Sequence, residues 1–79
     1  MNLLLHLTPP DHAAWRDAFD ADAEDRMHAG LTLLQLWRDA DGGGVTALFD
    51  VNDRAKAEAW LEREQATGPD LSARFMSTA

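Results

Sequence analysis

The chain opens with an apolar run over residues 2–8, in which four leucines are interrupted by His6. Its length suits a β-strand, and Pro9-Pro10 ends it, because a proline forces its predecessor out of helical backbone. The next stretch, "DHAAWRDAFDADAEDRMHAG", changes period. Trp15, Ala18, Phe19, Ala23 and Met27 recur at three- and four-residue steps, which predicts one amphipathic helix from an Asp11 N-cap to Gly30 at the C′ position. "LTLLQLWRD" (31–39) and "VTALFDV" (45–51) are two β-prone runs separated by a glycine-rich reversal, the signature of an antiparallel hairpin. A second helix is predicted over 54–67, capped by Asn52 or Asp53, with Ala57, Trp60, Leu61 and Glu64 on one face and Gly68-Pro69 as its stop. In the last segment Leu71, Ala73 and Phe75 alternate with Ser72, Arg74 and Met76, as in a short edge strand.

The order β-α-β-β-α-β predicts an α+β, ferredoxin-like domain spanning 1–79, with two helices covering one face of a four-stranded antiparallel sheet. Strands one and three are central in that topology. Alternation places Leu3, Leu5 and Leu7 with Val45, Ala47, Phe49 and Val51 beneath the helices. Leu4, His6 and Thr8 then join Thr46, Leu48 and Asp50 on the opposite face, half apolar and half polar. Nothing else in a single domain remains to cover that face, so a homodimer joined through it is expected, enclosing a small apolar cavity. The second strand resists this treatment: Gln35 and Trp37 share one parity, Thr32, Leu34, Leu36 and Arg38 the other, and both are mixed.

Composition narrows the partners. At 79 residues the domain has a small core, and without cysteine it has no disulfide or thiolate site to reinforce it, which again favours self-association. A net charge of −7 repels nucleic acid over most of the surface. No apolar stretch approaches a membrane span, and no basic leader precedes the first apolar run, so a cytoplasmic protein is expected.

The segments "DHAAWRDAFDADAEDRMHAGL" and "WRDADGGGVTALFDVNDRAKAEAWL" resemble the dimeric α+β barrel superfamily, which includes antibiotic-biosynthesis monooxygenase-like domains. The resemblance covers nearly the whole chain and implies a sheet-to-sheet homodimer. It implies no single activity, because members include cofactor-independent oxygenases, haem-degrading enzymes and isomerases. The haem-degrading members pair a second-helix Trp with a later His; Trp60 occupies a comparable helix, but no His follows His28. Tyr, used by some oxygenase-like members, is absent.

The candidate catalytic residues are His6, able to move a proton near neutrality, and Asp50, on the adjacent strand and the same face, able to orient it. A histidine that merely pairs across the interface is the favoured alternative, because no nucleophile or oxyanion donor accompanies it. Gln35, Trp37, Leu4 and Leu48 are the candidate ligand-binding residues. Arg38 is expected in surface ion pairs with Asp39 and Asp41. The acids of "DADAED" fan around a helix, and three scattered histidines without cysteine make no zinc set, so neither a metal nor a cofactor is expected. The leading functional expectation is a small-ligand-binding or regulatory homodimer. The alternatives are a cofactor-independent monooxygenase or isomerase acting on a small aromatic or polyketide-like compound, and a purely structural dimerisation domain.

Overall fold

The computed structural model describes residues 1–68 and 70–79; Pro69, the expected helix stop, lies outside them. The elements are β1 (Asn2–Leu7), α1 (His12–Ala21), α2 (Ala23–His28), β2 (Leu31–Arg38), β3 (Val45–Val51), α3 (Arg54–Thr67) and β4 (Ser72–Met76). All strand pairings are antiparallel, and the order β2-β3-β1-β4 puts β1 and β3 at the centre, a ferredoxin-like arrangement. The sheet is open, with β2 and β4 as its edges.

The core lies between sheet and helices. Leu3 and Leu5 of β1 and Val45, Ala47, Phe49 and Val51 of β3 are buried, as alternation requires. A line of aromatic rings crosses this layer. Trp15 stacks on Phe19 within α1 at 4.9 Å, Phe19 lies 6.5 Å from Phe49, and Phe49 meets Trp60 of α3 edge-on at 6.0 Å. The caps follow their chemistry: the Asp11 carboxylate accepts from the Ala14 N–H and Asp53 from that of Lys56, each at 3.1 Å.

The helix predicted over 11–30 is broken at Asp22, whose φ of −89° and ψ of 8° leave helical backbone and divide it into α1 and α2. The Phe19 carbonyl accepts the Asp22 N–H at 3.3 Å and the Arg26 guanidinium at 2.6 Å. This break changes the phase of the apolar stripe. Met27, predicted on the buried face, is 62% exposed, whereas Arg26 is buried at 6% exposure with its guanidinium 3.7 Å above the Phe19 ring. A side chain that stacks on an aromatic face and fills a carbonyl left at a helix break can replace methionine as the covering group.

Burial holds the Glu64 carboxyl above its ordinary range, aided by repulsion from Asp22 and Asp25 and opposed by Arg26 and Arg63. A raised folded-state value means that this group's contribution to stability is full below the ordinary carboxylate pKa and is lost as pH rises through the folded value. Glu64→Gln should therefore raise the thermal midpoint at pH 7, with the gain closing toward pH 4. The side chain is only partly buried, so solvent screening limits the gain to roughly 0.5 kcal/mol, readable as paired melting curves at the two pH values.

Candidate functional site

The registers arrange the uncovered sheet face as three rows running from β2 to β4. Thr32, Asp50, Asn2 and Met76 form one outer row; Gln35, Leu48, Leu4 and Arg74 the middle; Trp37, Thr46, His6 and Ser72 the other. Leu4 and Leu48 are half-buried, His6 is exposed, and Trp37 leaves 47% of its surface in solvent. A shallow depression of about 280 Å³ lies over the β1–β4 side, lined by Leu4, His6, Ser72, Ala73 and Arg74.

A β-bulge in β2 resolves the mixed parity of that strand. Leu33 pairs with Phe49 and Gln35 with the next residue, Leu48, leaving Leu34 as an extra position. Before the bulge, Leu31 and Leu33 are opposite Val51 and Phe49 on the helix side; after it, Leu36 and Arg38 are opposite Ala47 and Val45. Gln35 and Trp37 therefore stand on the same face as Leu4 and Leu48, in the middle and upper rows. All four candidate ligand-binding residues share the uncovered face.

The two candidate catalytic residues are not brought together within one chain. His6 is opposite Thr46 and Asp50 is opposite Asn2, so the two are separated by four residues of strand, roughly 13 Å. Shared parity placed them on one face, but only register sets the distance along it. Another carboxylate occupies the space beside His6. A Cβ built on Gly44 would lie 3.0 Å from both His6 Nε2 and the Asp39 carboxyl carbon, so the ring and this carboxylate converge on a space that only glycine leaves free. Asp39 is held there by the hairpin closure, its N–H donating to the Gly44 carbonyl at 2.8 Å. The signal in the sequence was the glycine run ending at Gly44, which marks a close approach as well as a turn.

Arg38 does not make the ion pairs expected with Asp39 and Asp41; among the described residues these are Arg16–Asp20, Arg54–Glu58 and Arg63–Asp25. Adjacent strand residues point to opposite faces, which separates Arg38 from Asp39. Among the described residues, no group of three or more His, Asp or Glu side chains is disposed to hold a metal ion. None of the helices in the described residues is long and apolar enough to cross a membrane.

Residues 1–63 match the family model described as Domain of unknown function (DUF3303). The chain belongs to the DUF3303 family. The matched span of this DUF3303 domain carries His6, Gln35, Trp37, Asp39, Gly44, Leu48 and Asp50, while β4 with Ser72 and Arg74 lies beyond it. Comparison of the DUF3303 chain with curated proteins and with solved structures finds no match.

Proposed function

We propose that this is a cytoplasmic, homodimeric domain of the dimeric α+β barrel kind, binding a small apolar ligand between the uncovered sheet faces of two copies in a regulatory or carrier role. The observation that carries the reading is the middle and upper rows of that face: Leu4, Leu48 and Trp37 form an apolar strip across three strands, with Gln35 and His6 as its polar handles. Apolar surface so arranged is stabilised by a second copy, and the depression over β1 and β4 in each copy leaves room for a ligand. Leu48→Arg places a charge at the centre of the strip without touching the core beneath. It should convert a dimer to a folded monomer in sedimentation at micromolar concentration; a wild-type chain that sediments as a monomer under the same conditions refutes the proposal.

A second reading, a cofactor-independent monooxygenase or isomerase, is favoured by one observation, the convergence of Asp39 and His6. In it His6 moves a proton, Asp39 orients the ring, and Trp37 stacks against an aromatic substrate. Asp50 has a place in that scheme only if the partner's face brings it to His6. A dimer interface packed solid around His6 leaves the domain purely structural.

A further inference from the structure

On the helix-covered side, a groove of about 470 Å³ runs between the broken helix and the edge strand β2. Its walls are mostly apolar, from Phe19, Ala23, Met27, Leu31 and Leu33, with Arg26 among them and Asp20 and Thr32 completing the lining. A buried guanidinium is ordinarily held by several acceptors, because its five N–H donors are costly to leave unmade away from water. Arg26 is 6% exposed, yet its only hydrogen bond among the described residues is from Nη1 to the Phe19 carbonyl, and no carboxylate forms an ion pair with it. The remaining donors are not sealed in the core. Buried side-chain polar atoms without a partner are, among the described residues, His12 Nδ1 and Trp60 Nε1. The free N–H groups of Arg26 thus reach solvent, and Arg26 is a lining residue of the groove.

We infer that this groove binds an apolar monocarboxylate, a fatty or aryl acid, whose carboxylate accepts from the unengaged N–H groups of Arg26 while its chain lies against Met27 and Leu33. Carboxylate geometry matches the planar donor set, and contact in a desolvated setting strengthens it. Asp20, Asp22, Asp25 and Glu64 surround Arg26 and act on it through space. They do not compensate its burial: desolvation is the largest influence on the guanidinium and depresses its pKa despite all four acids. A close counter-charge is what the site lacks. With Asp20 itself in the groove wall, this field disfavours a ligand of more than one negative charge.

The test is titration with octanoate, followed by amide chemical shifts of wild-type protein, with 1-octanol as the uncharged control. Saturable shifts centred on residues 19–33 are expected, with octanol at least about tenfold weaker, since charge-assisted hydrogen bonds carry the difference. Arg26→Gln should abolish octanoate binding. Because that variant also removes a buried contact that supports the fold, Met27→Glu supplies a second arm. It sets a negative charge on the exposed rim, and should weaken octanoate about tenfold with an unchanged thermal midpoint, the size expected of a like charge in partial desolvation. Equal affinity for octanoate and octanol, unaltered octanoate binding in Met27→Glu, or the absence of saturable shifts in wild type would each overturn the assignment. Shifts confined to Leu4, His6 and Trp37 would do so too, by placing the acid on the opposite face.

Discussion

Replacing Phe49 with alanine is expected to remove about 3–5 kcal/mol of stability, a large share of what a domain of this length possesses, since roughly 4–12 kcal/mol is the usual range at 79 residues. The reason is its position. Phe49 is fully buried on a central strand, opposite Leu3 of β1 and Leu33 of β2, and is the ring through which Phe19 on α1 and Trp60 on α3 meet the same sheet. Truncation leaves a cavity where three elements join, and the open β-sheet cannot slide inward to fill it without disturbing register on both sides. Urea unfolding at fixed protein concentration, followed by tryptophan fluorescence, measures the loss. A cost below about 1.5 kcal/mol would mean that the helices collapse onto the site, since the cost of such truncations depends on how far the cavity closes.

Gly30→Ala is expected to cost about 2–3 kcal/mol, a penalty larger than its single methyl suggests. Gly30 has φ of +74°, the left-handed region that costs other residues roughly 1–2 kcal/mol. The added Cβ would also lie 3.0 Å from the backbone nitrogen of Asp53 and 3.2 Å from its Cβ. Asp53 is the N-cap of α3, and the Gly30 carbonyl accepts the N–H of the residue before it, Asn52, at 2.8 Å. One glycine thus ends α2 and fixes where α3 begins. The same urea titration gives the stability, and amide exchange should show the loss of protection concentrated in the first turn of α3. A cost near 1 kcal/mol, with that turn still protected, would show that the α3 cap shifts freely.

Much of the fold was legible because the signals were periodic and local. Alternation in 45–51 and in the first strand assigned both faces of the central pair, and Asp11, Gly30 and Asp53 occupy the roles their chemistry suggested. What the pattern misread in the first helix and left open in β2 has one physical origin: a single residue that shifts the phase of a pattern without altering its composition. Asp22 does this in the first helix, where a break exchanges Met27 for Arg26 on the buried side. Leu34 does it in β2, where either parity read straight through mixes apolar and polar residues. At the candidate site, shared parity brought His6 and Asp50 to one face, but distance along a strand follows from register, which composition does not encode. Asp39 was seen as a surface charge near Arg38, since its approach to His6 depends on a hairpin closing across a glycine that has no side chain to announce it.

The extra residue in β2 also governs how related chains should be compared. Leu31 and Leu33 face the helix side of their own domain and Gln35 and Trp37 its uncovered face, so odd-numbered positions change sides within one strand. Matching such chains by hydrophobic alternation alone would pair interior with exterior positions throughout the second half. A relative that lacks the position of Leu34 would run as a regular strand with its Trp37 equivalent still on the uncovered face, whereas one that keeps the residue without the bulge would turn that aromatic ring toward its own helices.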